Sequence, residues 1–337
     1  MEVNIENPLE LVRYLQSSGR IEEGACPAVS VLPGGVSNRT VFVEHANGTA
    51  WVLKQALPKL RVAEDWFCSP ARIEREALGL QWLEKLTPGR VPHFVFEDRL
   101  NHLFAMTAVA RPHAQWKSML LSGDLQPDLF RQFGELLGRI HRLSPEHHDV
   151  LRQLFSDRGF FHALRLDPYY RTAASRNPAW TGFFERLIGQ SESIQESLVH
   201  GDFSPKNVLV HEGRLVLLDF EVIHFGDGAF DLGFALTHLL SKAHHRVSHR
   251  DEFLGAARIF WESYAQSLPS RPDAIWENRA VRHTLGCLLA RTDGRSPLEY
   301  FSAAERVHQR RVSTDLMLRE VGAIPDLIEQ FGRRLSG

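Results

Sequence analysis

Residues 198–221, LVHGDFSPKNVLVHEGRLVLLDFE, constrain this 337-residue chain more than any other stretch, because their polar groups stand at fixed places on a strand-turn-strand pattern. The apolar runs VLV at 208–210 and LVLL at 215–218 flank the turn-forming HEGR, which is the composition of a β-hairpin. Antiparallel pairing would set Asn207, just before the first run, beside Asp219, just after the second. Asp202, on the loop that leads in, can reach the same point.

One carboxylate that orients an attacking hydroxyl, with an amide and a second carboxylate that hold Mg²⁺ against nucleotide phosphates, is the minimal equipment of phosphoryl transfer. Asp202, Asn207 and Asp219 supply it. The order His200-Gly201-Asp202, then Asn207, then Asp219-Phe220-Glu221 resembles the catalytic loop and metal aspartate of protein-kinase-like enzymes. Gly after the His, and Glu in place of the Gly that usually follows Asp-Phe, is similar to the aminoglycoside phosphotransferase, choline kinase and methylthioribose kinase branch.

That resemblance implies an α+β, protein-kinase-like two-lobe fold, with a small antiparallel β N-lobe at 1–107 and a larger, mainly helical C-lobe at 108–337. Upstream, the strand patterns VSVL at 29–32, TVFV at 40–43, AWVLK at 50–54, 91–97 and 102–106 fit a five-stranded sheet. A glycine turn at 33–38 contains Gly34, Gly35, Ser37 and Asn38, and Lys54 ends a strand. In a kinase-like site such a turn brings backbone N–H groups to phosphate, and the strand lysine pairs the α/β-phosphates and a helix glutamate. The helix pattern at 70–83 offers Glu76, by its likeness to aminoglycoside kinases, with Glu74 as the alternative. Residues 107–110 would connect the lobes and meet the adenine edge.

The resemblance therefore implies ATP and Mg²⁺ as cofactors, Asp202 as the base, Asn207, Asp219 and Glu221 at the metal, and a small-molecule acceptor. A protein kinase is disfavoured, since Gly201 replaces the arginine that engages a phosphorylated activation loop and few residues separate Asp219 from Asp231. A non-catalytic nucleotide-binding module remains the alternative from another class. Asp231 is expected to cap the next helix and brace the loop, and His141 to be a buried partner of it.

A net charge of −2 gives no electrostatic case for nucleic acid. Three scattered cysteines suggest neither a disulfide framework nor a zinc site, and no apolar run approaches a membrane span. With no signal-peptide pattern at the N-terminus, a cytoplasmic protein is expected. His244, His245, His249 and Asp251 form no complete metal set and read as a solvated helix end.

The acceptor is the least legible feature. The region 52–74, with VLKQALPKLRV followed by Trp66 and Arg72-Ile73-Glu74, looks like the lysine-strand region of methylthioribose kinases. Those enzymes place a substrate-facing arginine pair in a late helix. Arg282 and Arg291 stand on one presumed helix here and are the substrate candidates. Residues 241–337 contain 15 Lys and Arg against 12 Asp and Glu, which suits a neutral or anionic hydroxylated acceptor better than a polycation. Aminoglycoside or amino-alcohol acceptors remain the alternative.

Overall fold

The computed structural model describes residues 3–33, 35–62 and 65–335. The chain divides into two compact units, the first ending at Arg111 and the second beginning at Pro112, where the motif reading placed a boundary after residue 107.

In the first unit, α1 (Pro8–Ser17) precedes β1 (Ala28–Val31), β2 (Asn38–Glu44) and β3 (Ala50–Ala56), then α2 (Arg72–Leu86), β4 (Phe94–Asp98) and β5 (Leu103–Thr107). The strands make one antiparallel sheet in the order β1-β2-β3-β5-β4. Side chains alternate between the faces of a strand. Val41, Val43, Leu53, Leu103 and Ala105 share one buried cluster with Leu11 and Leu15 of α1. Asn7 starts α1 by accepting from the N–H groups of Leu9 and Glu10, with Pro8 at the first helical position. α2 packs on β3, β4 and β5 through Ile73, Ala77, Leu80 and Leu83. Lys54, next to inward-facing Leu53, points to the α2 side of the sheet. The pattern of the sequence thus decides which helix the lysine can meet.

The second unit opens with β6 (His113–Gln115), α3 (Trp116–Ser122) and α4 (Pro127–Leu143). α5 (His148–Phe155), the single turn α6 (Gly159–Phe161), a π-helical segment His162–Arg171, α7 (Thr172–Arg176) and α8 (Thr181–Ser193) follow. Next come β7 (Ser197–Val199), β8 (Val208–His211), β9 (Arg214–Leu217) and β10 (His224–Gly226). Helices α9 (Ala229–His245), α10 (Arg250–Gln266), α11 (Ala274–Asp293), α12 (Ala303–Leu318) and α13 (Ile324–Leu335) complete it. α4 lies along α10, and α9 is sandwiched by α10 and α11. That position explains why nearly every residue of α9 is buried, its polar Asp231, His238 and Lys242 included.

The hairpin expected at 208–218 is β8–β9, in the register Val208 to Leu217, but it is not alone. β6 adds a third strand through Ala114 and Val210, and β7 pairs with β10. Trp116 is fully buried at the start of α3, against Phe130 and Phe133. Asp231 does not cap α9; it lies within the first turn, and Asp227 accepts from the N–H of Ala229 instead. Among the described residues no helix is long and apolar enough to cross a membrane.

Candidate functional site

The second unit assembles most of the polar groups of the 198–221 stretch around one loop. The backbone N–H of Leu218 donates to the carbonyl of Asn207 at 2.9 Å, which fixes the end of β9 beside the start of β8. Asp219 is therefore the residue directly after Asn207's backbone partner. It holds φ +71°, a left-handed conformation in which a residue with a Cβ is strained, and such strain concentrates at functional sites.

Asp202 is held from two directions. The Asn207 amide donates through Nδ2 to both the carbonyl and Oδ2 of Asp202, at 3.0 and 2.7 Å. Since both contacts use the nitrogen, the amide oxygen of Asn207 is turned away from the carboxylate. The guanidinium of Arg165, from the π-helical segment, reaches the same Oδ2 at 2.9 Å and donates through Nε to the carbonyl of Gly201 at 2.7 Å. Oδ1 of Asp202 has no hydrogen bond among the described residues. Burial works against the charge on Arg165, but the carboxylate of Asp202, with Tyr169, Glu221 and Asp219, outweighs it and holds its pKa above the ordinary value.

The loop itself is pinned by Asp231, whose carboxylate accepts from the N–H groups of His200 and Gly201 at 2.6 and 2.8 Å. His141, expected as a buried partner, stands with Nε2 3.7 Å from Asp231 and bonds Tyr264 through Nδ1. Burial lowers the pKa of His200 despite Asp231 nearby. The neutral ring accepts the Asp202 N–H at Nδ1 and donates from Nε2 to the Leu218 carbonyl, so it ties the loop to β9. Gly201 has φ +77°, and a Cβ there would meet the Val222 carbonyl at 3.0 Å. Glu221, 7% exposed, follows two residues after Asp219.

In the first unit Lys54 forms a buried ion pair with Glu76, whereas Glu74 lies near Arg99 at the surface. Gly35 stands where a Cβ would lie 2.5 Å from the carbonyl of Asn38, so the turn closes only around glycine. Asn38 begins β2 and is buried, with an unpartnered Oδ1, and Ser37 precedes it. Gly34 lies outside the described residues. Arg72, part of the methylthioribose-kinase resemblance but given no role by it, is fully buried and binds the carbonyls of Ser37 and Leu57, tying the turn to the end of β3.

Arg291 is brought toward the Asp202 loop and Arg282 is not. Nine residues apart on α11, they project about 180° from one another at roughly 100° per residue. Arg282 lies over Phe183 of α8, 5.5 Å from the ring centre. Arg291 lies 5.5 Å over Tyr169, the ring that also carries Arg165 at 5.6 Å. The two substrate candidates thus share the expected helix but not one face of it.

Oxygen donors are present for a hard cation: the Asn207 amide and the carboxylates of Asp219 and Glu221. Among the described residues no three His, Cys, Asp or Glu side chains form a ready metal cluster, and His244, His245 and His249 do not make one. This sparse set fits Mg²⁺, which keeps several waters and takes one or two carboxylates alongside substrate phosphates.

The family model described as phosphotransferase enzyme family, APH, matches residues 28–269. Among curated relatives, a methylthioribose kinase of Erwinia tasmaniensis is 24% identical over 76% of this chain and 73% of its own length. An amicoumacin kinase, hAmiN, solved in complex with AMP-PNP, Ca²⁺ and Ami, superposes with a TM-score of 0.60 at 15% identity, covering 89% of this chain and 91% of that one. The Plasmodium vivax ethanolamine kinase does so with a TM-score of 0.60 at 10% identity, over 94% and 91%. These likenesses establish the expected protein-kinase-like fold. With that fold, and with the family model spanning both the Lys54 strand and the Asp202 loop, the chain belongs to the phosphotransferase enzyme family and is a small-molecule kinase.

Proposed function

We propose that this kinase moves the γ-phosphoryl group of ATP, with Mg²⁺, to a hydroxyl of a small sugar-like metabolite. The observation that carries the reading is the state of Asp202: Oδ2 holds both Asn207 and Arg165, and Oδ1 is left for a substrate. Oδ1 accepts the proton of the acceptor hydroxyl as its oxygen bonds to the γ-phosphorus. The bond from that phosphorus to the bridging oxygen of ADP breaks. Asn207 and Arg165 keep the carboxylate in one orientation throughout, so little reorganisation accompanies the step.

Lys54, oriented by Glu76, takes the α- and β-phosphates, and the turn containing Gly35, Ser37 and Asn38 supplies backbone donors to phosphate. Asn207, Asp219 and Glu221 would hold Mg²⁺, which when bound neutralises charge on the β- and γ-oxygens. AMP-PNP and Ca²⁺ in the amicoumacin kinase complex support nucleotide and divalent-cation use. The methylthioribose kinase relatives support a sugar-like acceptor, and Arg291 is the group to meet it. A coupled ADP-release screen over polyols, methylthio-sugars, sugar phosphates, sugar acids, amino alcohols and aminoglycosides tests the reading. Acceptor-dependent turnover with the sugar-like members is expected. Preference for kanamycin-like polycations would overturn the acceptor class, and nucleotide binding with no turnover on any member would overturn the kinase mechanism.

A further inference from the structure

Lys242, near the end of α9, is 1% exposed, and its ammonium has one hydrogen bond, to the carbonyl of His238 on its own helix at 3.3 Å. It lies 5.6 Å from the centre of the Tyr300 ring, whose buried hydroxyl has no hydrogen bond among the described residues. No carboxylate pairs with Lys242 among the described residues. Among the described residues Arg291 likewise has no ion-pair partner: it bonds the Tyr169 hydroxyl at 3.0 Å, Ser296 Oγ at 2.9 Å and the Ser296 carbonyl, all neutral, and its Nε is buried without a hydrogen bond. A buried cation without a counter-ion is among the costliest arrangements a fold can keep.

The two groups lie along one path that ends at Asp202. Arg291 and Arg165 share the Tyr169 ring, and Arg165 also lies 5.8 Å over Phe234 of α9. Phe234 touches His238 at 5.0 Å between ring centres, and the His238 carbonyl holds Lys242. Of the cations along this path, Asp202 neutralises Arg165 and Glu299 neutralises Lys117. Among the described residues Lys242 and Arg291 form no ion pair, and the Glu299 carboxylate, already held by Lys117, acts on both only from a distance.

We propose that Lys242 and Arg291 bind an anionic group, a carboxylate or a phosphate monoester, on the acceptor whose hydroxyl Asp202 engages, so that the substrate is a hydroxylated organic anion. This rests on the assignment of Asp202 to the acceptor hydroxyl. The charge is supplied only when required: burial, with Lys117 and Arg291 nearby and only Glu299 opposing them, lowers the pKa of Lys242 to about 7. His238 beside it is held neutral by burial and by the same cations. An arriving anion raises the lysine's pKa again, so its binding takes up a proton. Affinity is greatest below pH 7 and declines by up to about tenfold per pH unit above it.

The test compares matched acceptors with and without the charge, ribose against ribose 5-phosphate and glucose against glucose 6-phosphate, in wild type and in Lys242→Met. The charged member of at least one pair is expected to have kcat/KM at least tenfold above its neutral partner. Lys242→Met should raise its KM at least tenfold with a smaller change in kcat, and should remove the pH dependence of that KM. The variant should melt no lower than wild type, because it deletes a buried charge that lacks a partner; a purely structural lysine would lower it. Calorimetry with inorganic phosphate and with glycerate, in the absence of nucleotide, reads the site without turnover, and Arg291→Lys serves as the second variant. Preference for the neutral members, or equal anion binding by wild type and both variants, overturns the proposal and leaves the kinase reading standing. Anion binding that Lys242→Met abolishes, with no acceptor phosphorylated, supports the anion site and overturns the kinase mechanism instead.

Discussion

Asp202 has its two oxygens in different conditions, one carrying Asn207 and Arg165 and the other open. Asp202→Ala removes the proton acceptor but none of the groups assigned to the nucleotide. Turnover should fall about 10²–10⁴-fold, roughly 3–5 kcal/mol of barrier, with nucleotide affinity retained in a binding titration. Asp219→Asn should act on the other side of the reaction, weakening Mg²⁺-dependent nucleotide binding, with a smaller effect of Glu221→Gln. Unchanged affinity for Mg²⁺-nucleotide in both variants would remove them from the metal. That Asp202, Asn207 and Asp219 lie together was legible because a short loop and the hairpin that follows it fix their spacing. Arg165 was not, since it comes from a π-wound segment whose sequence has no helical or strand period, and only folding brings it to Gly201. Arg282 and Arg291 show the opposite limit: nine positions along the chain bring them onto one helix, but its periodicity turns them to opposite faces.

Among the elements, α9 and the catalytic loop are joined by the Asp231 carboxylate. Asp231→Ala leaves two buried N–H groups without an acceptor. Hydrogen bonds to a charged group are worth about 1.5–3 kcal/mol each, so chemical denaturation should show a loss of roughly 3–5 kcal/mol. A loss below about 1 kcal/mol would mean that water or another group replaces the carboxylate. The bracing role was legible from the sequence, but the capping role was not realised, because α9 begins two residues earlier at Ala229. β6 also escaped the strand pattern: its three residues are exposed and carry no apolar alternation, and they are a strand only because β8 offers an unpaired edge. The central strands β2, β3 and β5 were readable because their alternation faces a single buried cluster.

Across the molecule, buried basic groups give stability a common dependence on pH. Burial lowers the pKa of His200 and His238, and that of His244 to about 4. Below about pH 6.5 the unfolded chain binds protons that the fold refuses, at up to about 1.4 kcal/mol per pH unit per histidine, so stability is lost as the pH falls. Lys242 adds the same sign between about pH 7 and the ordinary lysine value. The melting temperature should therefore climb from pH 5 to pH 8, and a flat profile would contradict the neutral state of these groups. One feature of α9 reaches beyond stability. Asp231 in its first turn grips the catalytic loop, Lys242 lies in its last, and an α-helix of this register sets them about 16 Å apart along a rod that scarcely stretches. If Lys242 takes the acceptor's anion, such a rod acts as a gauge: it fixes how far the loop that carries Asp202 stands from that charge, and molecules of the correct chemistry but the wrong reach are left unphosphorylated.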